Sequence, residues 1–175
     1  MEHNYFYILF SLLILSIFSL FEVEGPYTYT IVLLMLFFPF VDSKWKKPDL
    51  SLRKISISVC LVYILIIILL VLNLEKWQLI ISSLLLAALP EEWFFRGYFL
   101  VRIKQILKSS WQANTLTSLA FSLLHLPTQG WFGLSVFFPS LLFGWLYLKT
   151  NNLFLVIGIH ALSNTIFLLY LNNLI

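Results

Sequence analysis

The chain has 175 residues, of which 61% are hydrophobic and 11% charged, with a net charge of +3. Soluble domains carry about 25% charged residues, and a small soluble fold leaves too much surface in water to hide this much apolar area. The composition excludes an ordinary soluble domain and makes the bilayer the natural solvent, for one membrane domain over residues 1–175.

A spanning helix needs about 20 largely apolar residues, with about 17 as a lower limit. In chain order the candidate spans are 5–21, then 27–41, which is short and carries Pro39, then 55–74, the cleanest. A fourth starts near Trp77 and runs through Pro90 toward Leu100. A fifth, about 112–126, is short and rich in Thr and Ser, and 131–148 and 153–172 complete the set. The expected fold is all-α, a polytopic bundle of about seven transmembrane helices, with the site between helices four, five and seven. There is no internal repeat or flexible linker, and the one clear composition shift is the polar stretch 42–54.

Lys and Arg in short loops orient such a chain, because basic loops stay on the cytoplasmic side. Lys44, Lys46, Lys47, Arg53 and Lys54 fall between spans two and three, Arg102, Lys104 and Lys108 after span four, and Lys149 after span six. The intervening loops hold Glu22 with Glu24 and Glu75 with Lys76. Seven spans with the N-terminus inside put every basic cluster in the cytoplasm. The N-terminus lacks the basic region and small-residue cleavage site of a signal peptide, so the first apolar run is expected to be retained. Trp45, Trp77, Trp111 and Trp131 fall near span ends, where an interfacial belt is expected. Cys60, the single cysteine, cannot form an internal disulfide and is expected to pack like a small hydrophobe. No basic stripe with interleaved aromatics points to nucleic acid.

Against this background three charges stand out. Glu91, Glu92 and Arg96 lie inside an apolar run, where each charge costs roughly 2.5–3.5 kcal/mol on insertion scales. Glu92 and Arg96 are four apart and share a helix face, so they can pair. Glu91 then points about 100° away with no partner on its own helix. Two adjacent carboxylates in a poor dielectric resist ionising together, and a carboxyl group poised to take a proton suits general base catalysis. Pro90 just before the pair predicts a break or strong tilt. The inert alternative is an ion-pair cluster that only fixes helix packing.

Two further polar pairs sit in apolar surroundings. His125 follows Phe121 by one turn, and His160 and Asn164 share a face of the last span. A lone intramembrane His is commonly an interhelical hydrogen bond. Together, a carboxylate and an imidazole can hold and deprotonate a water, while a His and an Asn one turn apart can donate to a developing oxyanion. These are the parts of amide hydrolysis without a covalent nucleophile. A zinc site could use Glu91, His125 and His160 by residue type, but the helical H-E-x-x-H spacing is absent.

At these residues the chain resembles the CPBP intramembrane proteases, the CAAX protease and bacteriocin-processing or Abi family. That family's pattern is E-E-x-x-x-R, F-x-x-x-H and H-x-x-x-N/D. Here it reads Glu91-Glu92 with Arg96, Phe121 with His125, and His160 with Asn164, followed by Gly97 after the Arg. The resemblance covers a protease-like core at 78–172 and is specific because three weak motifs occur in order. It implies a glutamate-dependent, metal-independent endopeptidase with no cofactor, acting on a peptide or protein substrate at the membrane. It implies that Glu91 activates water with His125, that Glu92 and Arg96 support them, and that His160 and Asn164 form the oxyanion hole. It suggests lipidated, bacteriocin-like or C-terminal sorting-signal substrates, the last from a likeness to small bacterial members, and hence a bacterial cytoplasmic membrane. Nothing in the chain identifies a prenylated substrate. Two other readings remain, a non-catalytic immunity or scaffold protein of the same family and a proton-coupled transporter, though no symmetry between halves favours the latter. In a straight seven-span bundle Glu91 and His125 would differ in depth by about 10 Å, at 1.5 Å per residue.

Overall fold

The computed structural model describes residues 3–22 and 28–171, and among them every regular element is helical, with no strand. Glu24 and the side chain of Glu22 lie outside this description, as do the ends of the expected spans at 27 and 172. The helices are α1 (His3–Glu22), α2 (Thr28–Phe37), α3 (Ile57–Leu72), α4 (Leu74–Leu107), α5 (Ser110–Gln129), α6 (Phe137–Thr150) and α7 (Leu153–Leu171). Stretches Leu74–Leu107, Ser110–Thr150 and Leu153–Leu171 are long and apolar enough to cross a membrane, and Tyr5–Leu20, Tyr29–Val41 and Ile57–Leu72 are shorter apolar helices. The second long stretch folds back on itself at Gly130, whose φ of +58° only glycine adopts without strain. The reversal lets Asn114 of α5 donate to the Leu141 carbonyl of α6 at 2.9 Å. Leu9, Leu13, Leu61, Ile67 and Val71 lie exposed on α1 and α3. Apolar faces of that extent would be unstable in water, and the chain is an integral membrane protein.

Helix starts follow local chemistry. Ser56, Ser109 and Asn152 cap α3, α5 and α7, each accepting from the backbone N–H three residues on. Such a cap is worth about 1 kcal/mol. Asn152 also donates to the Lys54 carbonyl at 2.6 Å, tying the start of α7 to the polar stretch after α2.

Helix α4 differs from the expectation at Pro90, because the chain neither breaks nor leaves the helix there. Ser83–Ala88 and Trp93–Leu100 are wound as π-helix, with one α turn, Leu89–Glu92, between them. Proline's missing N–H and its ring crowd the preceding turn. The wider turn ahead of it, where the Leu89 N–H reaches five residues back to Leu84, absorbs that misfit.

Two other expectations are corrected. Cys60 is exposed on α3, on a face it shares with exposed Ile57 and Ile64. Trp45 is buried, and its indole N–H donates to the Gly97 carbonyl at 2.8 Å. It serves as an anchor for the stretch after α2, while Trp77, Trp111 and Trp131 are exposed as a belt requires.

The same stretch is held by Asp42, which pairs with Arg102 at 2.7 Å and accepts from the Tyr98 hydroxyl at 3.3 Å. Both charged groups are buried. Removing one partner of a buried pair costs about 3–5 kcal/mol. Asp42→Ala should fall at the lower end, because Gln105 still accepts from Arg102 at 2.5 Å. Thermal unfolding of the detergent-solubilised protein will show the loss, and Asp42→Asn should show less of it.

Candidate active site

The α turn Leu89–Glu92, between the two π-wound stretches of α4, carries Glu91 and Glu92 toward α7. Glu92 and Arg96 pair at 3.0 Å with both side chains 0% exposed. His160 of α7 donates from Nδ1 to Glu92 Oε1 at 2.7 Å. Its Nε2 lies 3.6 Å from Glu91 Oε2, close but longer than a hydrogen bond. Adjacent helical residues point about 100° apart, and one imidazole touches both carboxylates because it sits in the notch between them. The partner that Glu91 lacks on its own helix comes from α7.

Arg96 is held on three sides. Its Nη2 donates to the carbonyl and the hydroxyl of Ser140 on α6, both at 2.9 Å. Its guanidinium faces the Phe121 ring at 5.2 Å and the Phe143 ring at 5.8 Å. Such desolvated cation–π contacts add about 2 kcal/mol. Phe143 also stacks on the His160 ring at 5.0 Å. The Phe of the Phe121–His125 pair therefore has a visible task, since it packs against Arg96 and against His125 at 4.4 Å.

His125 is half-buried near the end of α5. Its Nδ1 lies 2.9 Å from the Phe121 carbonyl, which can only accept, so Nδ1 carries the proton. In the neutral ring this leaves Nε2 as an acceptor. A cavity of about 210 Å³ is lined by both Glu91 and His125, and by Ser19, Met35, Phe95 and Gln129. At about 30 Å³ per water, it has room for several waters beside the two side chains. The depth difference expected of a straight bundle does not keep them apart, because α5 runs on past His125 to Gln129.

Asn164 is half-buried on α7 one turn beyond His160; its backbone carbonyl accepts from the Phe167 N–H, while its side-chain amide makes no hydrogen bond among the described residues. Its amide is free for a ligand. Among the described residues no group of three His, Cys, Asp or Glu side chains is placed to hold a metal ion.

Sequence reasoning missed Ser140 and Gly133. A Cβ on Gly133 would lie 2.6 Å from the His125 carbonyl oxygen and 2.7 Å from its carbon. The turn Gly130–Val136 thus presses directly on the backbone that carries His125. The only signal was two glycines three apart, Gly130 and Gly133, just after the His. Gly133→Ala must shift that backbone. It should lower any His125-dependent activity sharply while the helical circular dichroism spectrum stays unchanged.

Polar groups from four apolar helices thus border one buried cluster and a cavity with room for several waters. The chain belongs to the Rce1-like family, type II CAAX prenyl endopeptidase, whose family model matches residues 61–166. The match runs from within α3 into α7 and includes every motif residue of the CPBP/CAAX protease pattern. CAAX-type intramembrane proteolysis is the general activity of that family. Neither a curated protein nor a solved structure matches the chain.

Proposed function

We propose that the chain is an intramembrane endopeptidase in which Glu91 and His125 activate a water for attack on a peptide carbonyl. The observation that carries this reading is that both side chains line one cavity while the Glu92–Arg96–His160 cluster is buried directly behind Glu91. The water sits between the Glu91 carboxylate and His125 Nε2. Glu91 takes its proton as the oxygen bonds to the carbonyl carbon. The oxyanion that forms is met by the Asn164 amide and by the Nε2–H of a His160 imidazolium whose other N–H is held by Glu92, and donors aimed at such charge in a dry site are worth about 10²–10³ in rate each. When the C–N bond breaks, Glu91 returns the proton to the leaving amine, and the products are a new carboxyl terminus and a new amino terminus.

Glu92 holds His160 by Nδ1, so the ring's other edge stays turned to Glu91 and the carbonyl. Arg96 pairs with Glu92 at 3.0 Å, so the carboxylate is matched within the apolar interior. The helices cross the membrane seven times with the N-terminus in the cytoplasm, in keeping with the distribution of Lys and Arg. The test compares peptide termini of membrane and secreted proteins in cells carrying the wild type or Glu91→Ala. Substrates appear as chains left uncut by the variant, and an identical set of termini in both would remove the reading.

A further inference from the structure

Nine of the chain's 11 Lys and Arg residues gather at one end of the bundle. Five lie in the 42–54 stretch, three in 102–108, and one is Lys149. Three contacts bring these segments together. Arg102 pairs with Asp42 at 2.7 Å, Asn152 donates to the Lys54 carbonyl at 2.6 Å, and Trp111 and Lys149 line one cleft. The opposite end holds the close of α1, α3, α5 and α7, joined by Ser19 donating to the Leu124 carbonyl at 2.8 Å and by Asn73 with Tyr170 at 3.5 Å. Its basic residue among the described ones is Lys76, beside Glu75.

The cavity at Glu91 lies on the way to that second end. It runs from mid-α4 past His125 to Gln129, the last residue of α5, and Gln129 is exposed. Its other walls come from the closing part of α1, at Ser19, and the opening part of α2, at Ile31. From Gln129 the basic end is the whole length of α5 away, about 30 Å at 1.5 Å per residue.

Basic loops stay in the cytoplasm. We infer that the site opens to the outer face of the membrane and cuts an extracytoplasmic segment of a secreted or membrane-anchored protein. The segment is extended at the cut, because the cavity is smaller than the roughly 300–1,000 Å³ of small-molecule pockets, and its walls set apolar Leu15, Ile31 and Met35 beside polar Ser19, Thr128 and Gln129. A prenylated CAAX substrate, the kind the family description names, would meet the wrong end if presented from the cytoplasm. The substrate class rests on the peptidase reading above, whereas the sidedness rests on charge and geometry alone.

The test begins from Cys60→Ser, which leaves the chain without cysteine. Gln129→Cys and, as a second outer position, Ser135→Cys are compared with Lys104→Cys and Lys149→Cys. The probe is a membrane-impermeant maleimide added to intact and to permeabilised cells. The outer pair should label in intact cells, and the Lys positions only after permeabilisation. The reverse pattern overturns the inference, whatever the enzyme does. In the same cells, cuts lost on Glu91→Ala should map to extracytoplasmic segments, and cuts mapping to cytoplasmic segments would overturn the substrate class. If the outer positions label but no cut depends on Glu91, the peptidase reading fails and the sidedness stands.

Discussion

Glu91→Gln should lower peptide-bond cleavage by about 10²–10⁴-fold, the usual worth of a positioned general base, and leave membrane insertion intact. The substitution keeps the side chain's shape but removes the acceptor that takes the water's proton. It also removes a charge from an apolar segment, where insertion scales assign roughly 2.5–3.5 kcal/mol to it. The one contact it loosens is with His160 Nε2 at 3.6 Å, and that ring stays anchored on Glu92 through Nδ1. His125→Ala should lose activity by a similar factor. The double variant should be little worse than either alone, because both groups act on one water and such effects are far from additive. Cleavage of an identified substrate in proteoliposomes, together with protein yield in the membrane fraction, separates the outcomes. If Glu91→Gln keeps full biological function, the non-catalytic scaffold reading takes its place.

The pairing of Glu92 with Arg96 was legible in the sequence because it needs only helical spacing and the cost of a lone charge in lipid. The all-helical fold was legible from composition in the same way. That Glu91 and His125 line one cavity was not, because a span ending near His125 leaves it at a different depth from Glu91. In the folded chain α5 runs on to Gln129, about one turn beyond His125. The three-motif pattern named His160 and Asn164 as equal partners, whereas the folded chain spends one edge of His160 on Glu92 and leaves the Asn164 side-chain amide free. Ser140, Phe143 and Gly133 gave almost no signal. A backbone carbonyl accepting from Arg96, a ring stacked on His160 and a glycine pressed on a neighbour's backbone exist only once α5, α6 and α7 have packed. In lipid that packing rests on close backbone approach and interhelical hydrogen bonds, neither of which shows as a hydrophobic period. The burial of Trp45 was hidden for the same reason, since its partner is the carbonyl of Gly97 rather than a side chain.

Arg96 is the residue whose replacement should damage the molecule most. Its guanidinium compensates Glu92 at 3.0 Å with both groups fully buried, and it reaches Ser140 through two bonds of 2.9 Å. Arg96→Ala leaves Glu92 in an apolar interior with only His160 to answer it. Breaking a buried pair in this way costs about 3–5 kcal/mol, a large part of a typical domain's total of about 5–15. It also unseats the ring that faces Glu91, so unfolding temperature and cleavage should fall together. Arg96→Lys separates the two effects. A lysine restores the charge beside Glu92, but its ammonium is a single point and cannot hold Glu92 and both Ser140 oxygens as the planar fork does. Arg96→Lys should therefore recover much of the stability and much less of the cleavage. Ser140→Ala should resemble Arg96→Lys in kind and be milder in size, because the Ser140 carbonyl still accepts from Arg96. The pair Arg96→Met with Glu92→Gln should recover stability further, since no buried charge is left unmatched, yet remain inactive because His160 has lost the carboxylate that orients it. Recovery of cleavage by that double variant would show that the Glu92–Arg96 pair holds helices together and takes no part in setting His160.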